Sequence, residues 1–274
     1  MRIANNVSAI FAHRQYTIWN NRLAKAMRRL SSGQRIGSAA DDPAGFAISE
    51  KMRAQIRGLA VAVRNCEDAI SLVQTAEGAM NEMHAILQRM REIALQAASD
   101  TNDDGVDRAA LNAEYQQLLK ELDDITKQTR FNGRALLDGS AAAGMIIQAG
   151  PDSGDTMTMK ITGVTPDDLG IIGTGIGTRD AASAVLKKLD GAIEKLSMAR
   201  ANLGAYHNRL EHKVNNLNTQ AENLSAAESR IRDADMAQEM MEYTKASIMP
   251  QVAAAMLAQA NNAPKTVLTL LESL

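Results

Sequence analysis

Two stretches of this chain contain no proline: 107 residues between Pro43 and Pro151, and 83 between Pro166 and Pro250. Proline inside a helix removes a hydrogen bond and clashes with the preceding turn, so its absence over such lengths leaves very long helices open. The apolar residues in these runs have the spacing to use them. Ala69, Leu72, Ala76, Ala79, Met83, Ile86, Met90, Ile93 and Ala97 alternate steps of three and four residues throughout. Leu59, Val63, Cys66, Ile70, Val73, Met80 and Leu87 form a second stripe beside them. Two adjacent stripes mean a helix with more than one packing partner. Leu111, Tyr115, Leu118, Leu122 and Ile125 repeat the pattern after Gly105. In the second run, Val185, Leu189, Ala192, Leu196, Ala199, Leu203, Tyr206 and Leu210 carry it on to Ile231, broken only by Lys213 and Gln220. The spacing predicts helices over 44–99, 107–129 and 180–232.

Between these arms the punctuation changes. Ten of the eighteen glycines fall between Gly133 and Gly177, where they favour turns over helix. Met145–Ala149 and Thr156–Ile161 read as short strands around the turn residues Gly150–Gly154. Aromatic residues are only 3% of the chain, against fifteen methionines. Such a core suits narrow helix–helix contacts better than a sheet-built interior. The expected fold is therefore mainly α: a long antiparallel helical coiled-coil bundle, a small β-hairpin at its tip near 140–165, and a paired terminal-helix domain. Its expected divisions are 1–42, 43–235 and 236–274.

The terminal segments are amphipathic and over-supplied with apolar surface. Ile3, Val7, Ile10, Phe11, Ile18, Trp19, Leu23, Met27 and Leu30 mark the first. Met240, Tyr243, Ile248, Val252, Met256, Leu257, Val267, Leu268, Leu270, Leu271 and Leu274 mark the second. Two helices cannot bury all of this against each other, and uncovered apolar surface of that size points to a partner. Charge is uneven as well. The net charge is only −2, yet residues 1–40 hold seven basic side chains (Arg2, Arg14, Arg22, Lys25, Arg28, Arg29 and Arg35) and no Asp or Glu. A basic amphipathic segment is compatible with a membrane surface, with nucleic acid, or with packing inside the protein.

Catalytic chemistry is not indicated. His13, His84, His207 and His212 form no metal-ligand spacing, and no H-E-x-x-H occurs. Gly173-Thr174-Gly175-Ile176-Gly177-Thr178 fails the dinucleotide-binding fingerprint and reads as a flexible connection. Cys66, the only cysteine, falls on the apolar stripe and reads as a buried structural residue. The expectation is no enzyme, no metal and no cofactor. No apolar run is long enough to span a membrane. Asn5, Asn6, His13 and Arg14 interrupt what would have to be the apolar part of a cleavable signal.

With the arms in place, both ends resemble bacterial flagellin. The N-terminal resemblance lies in Met1-Arg2-Ile3, Leu30-Ser31-Ser32-Gly33-Gln34-Arg35-Ile36, Asp41-Asp42-Pro43-Ala44-Gly45 and Ile48-Ser49-Glu50-Lys51-Met52-Arg53. Gln88-Arg89-Met90-Arg91-Glu92-Ile93-Ala94 and Phe131-Asn132-Gly133 follow. Near the other end stand Asn208-Arg209-Leu210-Glu211, Asn215-Asn216-Leu217-Asn218, Ala226-Ala227-Glu228-Ser229-Arg230-Ile231-Arg232-Asp233 and Met256-Leu257-Ala258-Gln259-Ala260-Asn261. The short middle resembles a minimal form without large outer domains. Phe46 stands where the family usually has a smaller or polar residue, Pro250 interrupts the last helix, and Glu272-Ser273-Leu274 extends the usual ending.

The resemblance implies a structural subunit that self-assembles into the extracellular flagellar filament used for swimming. It implies polymerisation through the terminal helices, at Ile3, Val7, Ile10, Phe11, Ile18, Leu23, Leu30, Met240, Val252, Met256, Leu257, Leu268 and Leu271. Implied partners are copies of the chain, the flagellar export apparatus with an export chaperone, and the filament cap and junction proteins. A Toll-like receptor is implied at Arg89, Ile93 and Glu114, where the family usually has leucine in place of Ile93. The alternatives are a hook–filament junction or accessory protein of the same family, and a membrane- or nucleic-acid-binding coiled coil.

Overall fold

The computed structural model describes residues 5–100, 103 and 106–272, with side chains as far as Asn262. Six α-helices are found among the described residues: α1 (Val7–Ser32), α2 (Pro43–Ala97), α3 (Asp107–Gln128), α4 (Pro166–Leu169), α5 (Arg179–Arg232) and α6 (Met236–Glu272). The three helices expected from the apolar spacing match α2, α3 and α5 to within two residues at each end. No break interrupts 59–97. By packing, the chain divides into two compact units, Met1–Ile56 with Glu222–Leu274, and Arg57–Ala221. These divisions fall inside α2 and α5, whereas the sequence placed them at the helix ends.

In the 57–221 unit, the buried seam of α2 takes residues alternately from the two stripes. Leu59, Cys66, Val73, Met80 and Leu87 come from one, and Ala69, Ala76, Met83 and Met90 from the other. Leu72, Ala79 and Ile86 are left half-buried on the flank. Helix α5 answers with Val185, Leu189, Ala192, Leu196, Leu203, Leu210 and Leu217, all buried. The helices run antiparallel, because Arg91 pairs with Asp190 at 2.7 Å while Asp100, just past the end of α2, pairs with Arg179, the first residue of α5, at 3.1 Å. Burial pushes the Cys66 thiol above its ordinary pKa, in keeping with an inert structural cysteine. Leu87 is fully buried in this seam. Leu87→Ala should lower the unfolding free energy by about 2–5 kcal/mol, measured by urea denaturation followed by circular dichroism.

Helix α3 is tied to its neighbours by polar side chains. Arg108 is buried and donates from Nε to the carbonyl of Ala97 at 2.8 Å and from Nη2 to that of Ser99 at 2.7 Å. It thereby satisfies the Ala97 carbonyl, which the end of α2 leaves without a helical donor, and the Ser99 carbonyl just beyond it. Strands β1 (Arg130–Phe131) and β2 (Arg134–Ala135) follow as an antiparallel pair. Asn132 and Gly133 both have positive φ, at 48° and 79°. That combination at the centre of a two-residue hairpin is the one Asn-Gly adopts most readily.

The expected hairpin forms from β3 (Met145–Gln148) and β4 (Thr156–Met159), with Met145 opposite Met159 and Gln148 opposite Thr156. It lies against α2, where Asn65 donates to the carbonyl of Gln148 at 3.1 Å. A Cβ at Gly58 would stand 2.9 Å from that of Pro151, so only glycine admits this approach. The segment read as a flexible connection is instead packed down. Ile171, Thr174 and Ile176 are buried, the Asn112 side chain accepts from the Ile176 N–H at 2.9 Å, and Gln116 donates to the Thr174 carbonyl at 2.8 Å. Tyr115 and Thr174 share a buried hydroxyl–hydroxyl hydrogen bond of 2.6 Å. Burial is the main cause that raises the Tyr115 pKa.

Candidate assembly surface on the terminal helices

Apart from Pro250, the fully buried apolar residues of the terminal helices are alanines among the described residues. Helix α1 begins with Asn6 as its N-cap, whose side-chain oxygen accepts from the Ala9 N–H at 3.1 Å. The amide of the same side chain donates to the carbonyl of Ala260 at 2.7 Å. At the other end of α1, Arg29 pairs with Glu239 at 2.9 Å. The order of these contacts makes α1 and α6 antiparallel. Between them Ala12, Ala26, Ala246 and Ala253 are buried. Alanine lets helices approach closely but hides little apolar area. Trp19 lies under both Arg22 and Lys245, at 4.7 and 5.9 Å from its ring centre, an arrangement that stabilises a cation over an indole face.

The larger side chains are left outside this contact. Val7 is 70% exposed, Phe11 62% and Met256 63%, and Ile10, Met240 and Val252 are likewise exposed. Ile18, Leu23, Leu30 and Leu257 are half-buried. Ile3 lies outside the described residues, as do the side chains of Leu268 and Leu271. Val7, Phe11, Trp19, Met249, Val252 and Met256 line an open apolar groove of about 630 Å³ along α1 and α6. Met241, which the sequence reading did not single out, is 68% exposed. Its adjacency to Met240 was the available signal. Neighbours on a helix point about 100° apart, so one narrow contact cannot cover both. Helix α6 continues through Pro250, which is buried, so the proline does not end the helix.

The segment joining α1 to α2 is tightly specified. Gly33 ends α1 in the left-handed conformation at φ 69°, and its carbonyl accepts from the Ala234 N–H at 2.9 Å. The Arg35 N–H donates to the Arg232 carbonyl at 2.7 Å, and Gln34 bridges Asp233. Asp42 then caps α2 by accepting from Ala44 and Gly45, with Pro43 as the first helical residue, where its missing N–H costs nothing. A Cβ at Gly45 would fall 2.4 Å from the Asp42 carboxylate and 2.9 Å from Ile36. The Asp-Asp-Pro-Ala-Gly run is therefore a cap with no room for a side chain at its last position. Phe46, the departure from the family pattern, lies 5.4 Å beneath the buried Arg232, which also pairs with Glu50. Lys25 pairs with Asp41 at 2.8 Å, and this hydrogen bond holds the Asp41 carboxyl below the usual carboxylate range.

Arg89 and Glu114 meet on the surface of the 57–221 unit. The Arg89 guanidinium donates from Nε at 3.0 Å and from Nη2 at 2.9 Å to one Glu114 oxygen, and also contacts Glu92 at 3.3 Å. Both partners are exposed. Ile93 is brought to the same stretch of α2 but is only 1% exposed. It belongs to the core and supports this surface from beneath. Among the described residues, no group of three or more His, Cys, Asp or Glu could hold a metal, and no helix is long and apolar enough to cross a membrane.

Similarity to known proteins agrees with this construction. Residues 3–142 match the bacterial flagellin N-terminal helical region, and residues 186–271 the bacterial flagellin C-terminal helical region. The flagellin of Halalkalibacterium halodurans is 50% identical over 276 residues, covering 99% of this chain and 100% of that one. The flagellin of Bacillus subtilis is 44% identical over 303 residues, with 99% and 100% covered. The crystal structure of Bacillus cereus flagellin superposes with a TM-score of 0.51 at 40% identity, covering 60% of this chain and 94% of that one. A putative flagellar hook-associated protein from Vibrio parahaemolyticus reaches a TM-score of 0.60 over 70% of this chain and 100% of its own, but at 16% identity the likeness is of fold alone. Terminal regions matched in order, and a relative half identical along its full length, place the chain in the bacterial flagellin family, as a structural subunit of the flagellar filament and not an enzyme.

Proposed function

We propose that the α1–α6 pair is the element through which this flagellin polymerises. The observation that carries the reading is a helix pair that buries Ala12, Ala26, Ala246 and Ala253 while Val7, Ile10, Phe11, Met240, Val252 and Met256 stay exposed beside an apolar groove. Each such side chain contributes roughly 1.5–3 kcal/mol when fully buried. Several together offset the entropy lost on association. The contact between copies is heterologous and non-closing, the geometry that generates a helical filament rather than a ring. Ile3, Leu268 and Leu271 belong to the same proposed surface through the family resemblance. A charged substitution in the groove tests this. Phe11→Asp monomers should fail to extend filament seeds at wild-type concentrations, with circular dichroism showing the helices retained. Normal extension by that variant would remove the α1 groove from the assembly contact.

Secretion and the remaining partners follow from the same reading. The chain leaves the cell through the flagellar export apparatus, escorted by an export chaperone. It meets cap and junction proteins at the filament ends. Arg89 and Glu114 form the surface that a Toll-like receptor contacts, with Ile93 holding α2 in place under them. Support for this last proposal is the exposed, ion-paired geometry together with the match to the family's motif around Arg89.

A further inference from the structure

Building on the assembly reading above, we propose that neighbouring copies also pair ionically, Glu242 of one copy entering a basic cleft formed by Lys25, Arg28 and Arg29 of the next. The cleft has a volume of about 520 Å³ and lies at the C-terminal end of α1, where Ser31, Ser32 and Gln34 add further polar lining. Asp41 is its one carboxylate, and Lys25 already engages it at 2.8 Å. Arg29 gives one nitrogen to Glu239 and lines the cleft beside Arg28. Arg28 is exposed and has no partner among the described residues. Residues 1–40 contain no acid, so α1 cannot supply the missing acceptor to a neighbouring copy's cleft.

The complementary group stands on α6. Glu242 is exposed, has no ion-pair partner among the described residues, and follows the exposed Met240 and Met241. Assembly that covers those methionines takes the carboxylate out of water with them. A carboxylate buried without a cation is strongly destabilising, whereas one that meets two guanidinium groups is compensated. Within one chain, among the described residues, Arg29 of α1 pairs with Glu239 of α6, and Arg28 and Glu242 are not joined to each other. Each copy therefore presents this cleft and the Glu242 carboxylate, the two complementary parts a repeating heterologous contact requires. The apolar groove supplies attraction, and the ionic pair fixes which part of one copy faces which part of the next.

The test is a charge exchange in full-length protein. Monomers from dissociated filaments are extended from sheared seeds, and the critical concentration is read by sedimentation. Arg28→Glu and Glu242→Arg should each raise it about tenfold. The double variant Arg28→Glu/Glu242→Arg should return it to within about twofold of wild type. Glu242→Gln, which keeps the side-chain shape, should flatten the rise of critical concentration with added salt. Single variants that grow like wild type, a double variant no better than the singles, or an unchanged salt response in Glu242→Gln would each overturn the pairing. Phe11→Asp separates this from the wider reading. If that variant stops growth while the charge variants grow normally, only the ionic pairing falls; if it too grows normally, the groove-driven assembly reading falls with it.

Discussion

Removing residues 236–274 should leave a soluble, helical chain that forms no filaments at any concentration where the intact protein polymerises. The deletion takes away α6 and with it Met240, Met241, Val252 and Met256, which are exposed on the isolated chain. The 57–221 unit has its own buried seam from Leu59 to Leu217, built by α2 and α5. Its helices should therefore survive. Losing these four apolar side chains at roughly 1.5–3 kcal/mol each removes more free energy than a protein–protein contact can spare. Sedimentation and electron microscopy of the truncated chain check the outcome, with circular dichroism reporting the retained helix. Filaments growing at the wild-type critical concentration would show that the terminal helices are not the assembly element.

The second large effect concerns receptor signalling. Arg89→Ala and Glu114→Ala monomers should each lose Toll-like receptor activation by about tenfold or more, the size expected when a buried charge contact at an interface is truncated. Because the two side chains are bonded to each other at 2.9 Å, the double variant should cost less than the sum of the singles. Both groups are exposed, so the pair itself adds little to folding stability, and thermal unfolding should hardly change. Cells reporting receptor activation, dosed with monomer, provide the measurement. Full signalling from both single variants would reject the site. Ile93→Ala is expected to act differently, lowering stability, because that side chain is a core residue.

The helices themselves were legible in the sequence. A step of three and four residues, uninterrupted by proline, fixes α2, α3 and α5 almost to the residue. Hairpin β3–β4 was legible from its turn residues, and the uncovered terminal surface from the excess of apolar positions. In each case the information is local. Periodicity and turn chemistry act over a few residues, and no distant partner is needed to read them.

Tertiary structure decided what local pattern leaves open. Two stripes on α2 were equally apolar in sequence; the packing of several helices chose alternate residues from each, burying Met83 and Leu87 while leaving Ile86 half-covered. It turned Ile93 inward and Arg89 outward on the same helix. Pinning of Thr174 and Ile176 onto α3 depends on Tyr115, Asn112 and Gln116, some sixty residues earlier in the chain. No composition rule for a glycine-rich run could anticipate those partners. The pairing of Arg29 with Glu239, with Arg28 and Glu242 left over, likewise depends on which faces of α1 and α6 meet. Sequence determines which face of a helix is apolar, but which residues on that face lose their water is settled only where another element comes to cover it, because burial is a property of the pair.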